Sequence, residues 1–149
     1  MGLERLRLFL ARHRRIALDT SVFFYQVEAN PQYIKFTDHI FHWVAQSGNQ
    51  ALTSTITLTE LVVQPYRQVD EQRVNEFYGL LSTYPNLEWI PPNLEIADLA
   101  ARIRALHRLR TPDALQAATA MRGLAAGLIT NDSVFERLKS LEVLVLDKI

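Results

Sequence analysis

The chain contains no cysteine, only three lysines, and no apolar run long enough to cross a membrane. Without cysteine there are no disulfides and no thiolate metal sites, so a metal ligand here must be a carboxylate or a histidine. Net charge is missing too, because 16 basic and 16 acidic side chains cancel; attraction for a polyanion has to come from local clusters. The N-terminal segment MGLERLRLFLARHRR is positively charged, but its apolar stretch LFLA is too short and interrupted for a signal peptide. A soluble, cytoplasmic protein with no membrane association is expected. The 149 residues, 48% of them hydrophobic, suit one domain with one sizeable core.

Apolar periodicity sets out the elements. Leu3, Leu6, Phe9 and Leu10 fall at helical spacing and predict a leading helix over residues 1–14. Ile16 to Leu18 reads as a strand, and Thr20 or Ser21 is a candidate cap for the short helix that follows. Further helices are expected from Tyr33 to Ser47, from Ile56 until Pro65 stops it, from Asp70 to Tyr84, from Leu94 to Leu109 and from Pro112 to Gly123, with a short one over Asp132 to Leu138. Strands are expected at Ala51–Thr53, Leu87–Ile90, Gly127–Thr130 and Val143–Leu146. The alternation of strand and helix predicts an α/β domain whose parallel sheet of four to five strands is covered on both faces.

Four acids stand where such a domain places strand ends or helix N-termini: Asp19 in IALDTSVFFY, Glu60 in TLTELVV, Asp113 in TPDALQAATA and Asp132 in LITNDSVFERL. Each has a structural role open to it. Asp113 suits the first turn of a helix by its interaction with the helix dipole, and Asp19 and Asp132 suit caps. Glu60 shares its helix face with Ile56 and Val63 and is expected to lose hydration there without a partner. One topology brings all four to the same rim of the sheet. Gathered carboxylates repel by roughly 4 kcal/mol per pair at about 4 Å and an effective dielectric of about 20, unless a cation lies among them. Oxygen-only ligands favour Mg²⁺ or Mn²⁺.

The ordered set LDTSV, TLTEL, TPDALQAATA and ITND resembles the PIN-domain ribonucleases, most closely the VapC-type toxins of bacterial toxin-antitoxin pairs. The resemblance runs from about Arg15 onward, leaving residues 1–14 as an added helix before a core of residues 15–149 in a single PIN-like three-layer α/β/α domain. It implies a Mg²⁺- or Mn²⁺-dependent endoribonuclease. Asp19, Asp113 and Asp132 would be the main metal ligands, with Glu60 completing the cluster and Ser21 and Thr130 holding carboxylates and water by hydrogen bonds. It also implies an RNA substrate, a cognate antitoxin and a homodimer.

Arg102, Arg104, His107, Arg108 and Arg110 run toward Asp113 and either steer RNA phosphates or form a solvated, ion-paired helix face. Arg12, His13, Arg14 and Arg15 precede the first strand, on the side away from the acids, and suit a structural or partner role. His39, His42 and Trp43 suit helix packing; Phe23, Phe24 and Tyr25 suit the core or a dimer surface. An aspartyl-phosphate enzyme would need a second aspartate two residues after Asp19 or a suitably placed lysine. Ser21 occupies that position, and Lys35, Lys139 and Lys148 lie at no suitable strand end. The rival from another class is a catalytically silent PIN-like module that binds RNA or a protein.

Overall fold

The computed structural model describes residues 2–149. In chain order the elements are α1 (Gly2–Arg12), β1 (Arg15–Leu18), α2 (Thr20–Val27), α3 (Ile34–Ala45), β2 (Gln50–Ser54), α4 (Ile56–Arg67), α5 (Glu71–Thr83), β3 (Leu87–Ile90), α6 (Leu94–His107), α7 (Thr111–Arg122), β4 (Gly127–Thr130) and β5 (Glu142–Val145). Short 3₁₀ turns cover Ser133–Arg137 and Leu146–Lys148. The five strands form one sheet in the order β3-β2-β1-β4-β5. All four pairings are parallel, with Ile16 of β1 opposite Ala51 on one side and Gly127 on the other.

Successive strand residues point to opposite faces, and the core divides accordingly. Ile16, Leu18 and Ile129 pack with Leu6, Phe9, Phe23, Phe41, Leu61 and Phe77, under α1 to α5. Ala17, Leu52 and Leu128 pack with Ile96, Ile103 and the alanines of α7, Ala114, Ala117 and Ala118. The result is three layers, α/β/α, built by strands that bury both faces. The alanine face brings α7 close to the sheet. A Cβ at Gly123, where that helix ends, would lie 2.7 Å from Leu52 Cδ2 and 2.9 Å from the Thr119 carbonyl.

The N-terminal helix α1 is part of the core, since its Leu6, Phe9 and Leu10 are at most 2% exposed. Its end covers the amino edge of the sheet so closely that a Cβ on Gly127 would meet Phe9 Cζ at 2.6 Å. Arg12 and His13 both bind the Glu142 carboxylate of β5. Arg15 reaches the Gly123 carbonyl, Gln50 and Glu88. Arg12, His13 and Arg15, three of the four basic residues before β1, are thus held in contacts within the fold.

Some boundaries differ from expectation. Pro65 does not stop α4, which continues to Arg67; a proline in the last turn removes only one backbone bond. The chain leaves α6 at His107, because Arg108 adopts φ 59° and closes the helix in the left-handed region. Asp19 itself caps α2, accepting a hydrogen bond from the Thr20 amide. Among the described residues no helix is long and apolar enough to cross a membrane.

Candidate active site

The strand order turns back at β1: the chain proceeds outward through β2 and β3, then returns to place β4 on the other side. Loops leaving β1 and β4 therefore diverge, and a crevice opens at the carboxyl ends of those two strands, where open α/β sheets receive ligands. Asp19 follows β1 directly, and Asn131 and Asp132 follow β4. Glu60 projects from α4, and Asp113 from the first turn of α7 after Pro112. All four acids line one pocket of about 260 Å³, together with Thr20, Ser21, Phe24, Tyr25, Arg110 and Asn131. A larger cleft of about 620 Å³ lies elsewhere, by β3 and the end of α7, where Glu88 and Glu95 are accompanied by Arg15 and Arg122.

Asp19 is the most constrained of the four. It is 9% exposed, and its Oδ1 accepts from the Thr20 amide at 2.8 Å while Oδ2 accepts from the Thr130 hydroxyl at 2.7 Å. Burial pushes its pKa from 3.8 to about 6, against the pull of those two bonds and with added repulsion from Asp113 and Glu60. Burial likewise raises Asp113; the Arg110 guanidinium opposes this and the Asp132 carboxylate adds to it. Arg110 Nε lies 3.3 Å from Asp113 Oδ2. Glu60 accepts from Thr20 Oγ1 at 2.8 Å, and Asp132 caps the following 3₁₀ turn through the Val134 amide at 3.0 Å.

Beneath the acids runs a buried polar network absent from the sequence-based expectations. Gln116 Nε2 donates to Thr57 Oγ1 at 2.5 Å, and its Oε1 accepts from the Ser54 amide at 3.3 Å. Thr57 also meets Thr53 at 2.7 Å and Thr20 at 3.2 Å. Helical spacing carries a signal for two of these residues: Gln116 lies three positions after Asp113, and Thr57 three before Glu60, each on its acid's helix face. Asn131 was also missed. Its amide donates to Tyr25 Oη at 2.8 Å and its carbonyl accepts from the Asp147 amide at 2.8 Å, tying the β4 rim to α2 and the final turn.

One detail of the sequence reading changes, and one open alternative narrows. Glu60 does not share its face with two core residues, because Val63 is 42% exposed; its hydration is limited by the pocket instead. The basic run before Asp113 is largely committed to protein contacts. Arg102 pairs with Asp98, and Arg104 bonds the Leu109 carbonyl and Thr111 Oγ1.

Among the described residues no group of three or more acidic or histidine side chains is already disposed to hold a metal ion. The four carboxylates face one space, yet each is held by a protein donor, which is how like charges at close quarters relax. The donor set nevertheless fits a hard cation: it is all oxygen, and it includes Ser21 Oγ, buried without a hydrogen-bond partner at the same pocket. Asp19, Glu60, Asp113 and Asp132 are the residues able to hold such an ion.

A family model described as PIN domain matches residues 16–141. Among solved structures, the chain is similar to VapBC2 from Rickettsia felis bound to a DNA fragment from its promoter, at 22% identity and TM-score 0.73, over 88% of this chain and 98% of that one. It is similar to VapBC-1 from nontypeable Haemophilus influenzae at 20% identity and TM-score 0.69, over 89% and 98%. FitAcB from Neisseria gonorrhoeae matches at 21% identity and TM-score 0.67, over 90% and 99%. A comparison with curated proteins finds no match. At these identities the structural likeness establishes the fold.

Proposed function

The chain belongs to the PIN-domain family, and from that premise we propose that it is a metal-dependent endoribonuclease, the toxin of a toxin-antitoxin pair. The observation that carries this reading is the pocket at the carboxyl rim, lined by Asp19, Glu60, Asp113 and Asp132 from four separate segments. Uncompensated, that concentration of negative charge opposes folding; holding Mg²⁺ or Mn²⁺ gives it a purpose.

A divalent ion bound by these carboxylates supplies Lewis acidity toward the scissile phosphate and the attacking water. The chain's own groups do the rest. Thr130 and the Thr20 amide fix both oxygens of Asp19, so the carboxylate meets its ligand in one orientation. Thr20 orients Glu60 in the same way. Ser21 lines the same pocket, and its buried hydroxyl has no protein partner, which leaves it a spare donor beside the acids.

The partner reading draws on the solved relatives, described as VapBC complexes and as a toxin-antitoxin complex from Klebsiella pneumoniae. Next to Glu60, Leu58, Val62, Val63 and Tyr66 form a largely apolar groove of about 550 Å³ on α4. This supports an antitoxin that covers α4 and the acidic pocket; a homodimeric toxin acting in the cytoplasm is part of the same proposal.

The deciding experiment incubates purified protein with single-stranded RNA. Cleavage with Mg²⁺ or Mn²⁺, loss of cleavage with chelator, and loss in folded Asp19→Asn and Asp113→Asn variants are expected. RNA binding without cleavage, unchanged in those variants, would establish the silent module instead.

A further inference from the structure

Arg110 is the one cation lining the acidic pocket among the described residues. Its backbone is fixed as the N-cap of α7, its carbonyl accepting from the Ala114 amide at 2.9 Å, and Arg104 pins the preceding carbonyl of Leu109. Its side chain makes no capping bond and is 77% exposed; the Asp113 side chain it touches is 13% exposed. The neighbouring arginines differ: Arg102 is engaged with Asp98, Arg104 with Thr111, and Arg137 with the His107 and Arg108 carbonyls. A long, flexible arm on a rigid base therefore rests its charge on Asp113 through a single Nε contact of 3.3 Å.

We propose that Arg110 is an exchangeable counter-ion: it neutralises Asp113 while the pocket holds no metal, and with a divalent ion bound it leaves Asp113 for a non-bridging oxygen of the scissile phosphate. The inference rests on the nuclease reading and adds a substrate-binding residue to it. An exposed pair of this geometry is weak, so an ion of twice the charge displaces it readily. A guanidinium freed beside the pocket is well shaped for phosphate, which it binds through paired donors. Arg110 thus competes with the metal for Asp113 and cooperates with it on the substrate, so its removal moves two affinities in opposite directions.

The test titrates Mn²⁺ into wild-type protein and Arg110→Ala by calorimetry without RNA, then measures KM and kcat on single-stranded RNA. Loss of the competitor is expected to tighten Mn²⁺ binding about fivefold, while KM for RNA rises about tenfold. Arg110→Lys, which keeps the charge but not the paired donors, should retain wild-type Mn²⁺ affinity and still bind RNA less well. Mn²⁺ affinity that is unchanged or weaker in Arg110→Ala, with wild-type protein binding the ion and cutting RNA, overturns this proposal alone. Wild-type protein that neither binds Mn²⁺ nor cuts RNA overturns the nuclease reading along with it.

Discussion

Thr130 and Asp19, separated by 111 positions in sequence, are joined by a 2.7 Å hydrogen bond from the Thr130 hydroxyl to Asp19 Oδ2. The same hydroxyl accepts from the Asp132 amide at 3.0 Å. One side chain at the end of β4 therefore sets the position of two acids on different loops.

Thr130→Val removes both bonds and leaves the Asp132 amide without its partner. Cleavage of RNA is expected to fall about 10- to 100-fold, with a stability loss of about 1–3 kcal/mol. Thr130→Ser should restore most of the activity. Steady-state kinetics beside urea unfolding separates the two effects.

Asp19→Asn should abolish cleavage and yet stabilise the protein at neutral pH. A buried carboxyl whose folded pKa stands near 6, against 3.8 ordinarily, is costly to ionise; allowing for one weakened hydrogen bond, the gain is about 2 kcal/mol. Thermal melts at pH 7 without metal would show it as a higher Tm. A lower Tm would mean that the carboxylate is stabilised where burial says it is not.

The pH dependence follows from the same raised value. Between pH 3.8 and about 6 the folded state retains a proton on Asp19 that the unfolded chain releases. This group's contribution to stability is therefore most favourable below pH 3.8 and diminishes as pH rises through about 6. The advantage of Asp19→Asn over wild type should fade on acidification across that window. Mn²⁺ should raise the wild-type Tm at pH 7, by an amount that shrinks toward pH 5 as binding must displace that proton.

Gln116→Leu keeps the volume but removes one of the hydrogen-bond partners of Thr57 and the side-chain acceptor of the Ser54 amide. A loss of about 1–3 kcal/mol in urea unfolding is expected, with weaker Mn²⁺ binding in calorimetry because Thr20 and Glu60 lose their support.

Phe9→Ala measures how much α1 contributes to stability. Phe9 is 1% exposed and in contact with the amino end of β4; its truncation should cost about 3–5 kcal/mol by chemical denaturation. A change below 1 kcal/mol would mean that α1 is only loosely attached.

The layers and the acids were legible because they depend on local signals. Ile16 to Leu18 ends in an acid, and α7 announces itself through Pro112 and its alanines. What stayed hidden depends on distance in space. Thr20, Thr57 and Gln116 are ordinary helix residues until folding stacks them under the pocket. Arg110 looked like one member of a basic run, and only the left-handed turn at Arg108 and the contacts of its neighbours set it apart. Val63 followed the helical period of the core, but the groove it lines faces outward.

The position of β1 also bears on biogenesis. It is translated before the other four strands and lies at the centre of the sheet, yet its neighbour β4 begins only at Gly127. A nascent chain on the ribosome cannot close the crevice beside β1 before β4 has emerged, so Asp19 and Asp132 come together only after every element between them has been made.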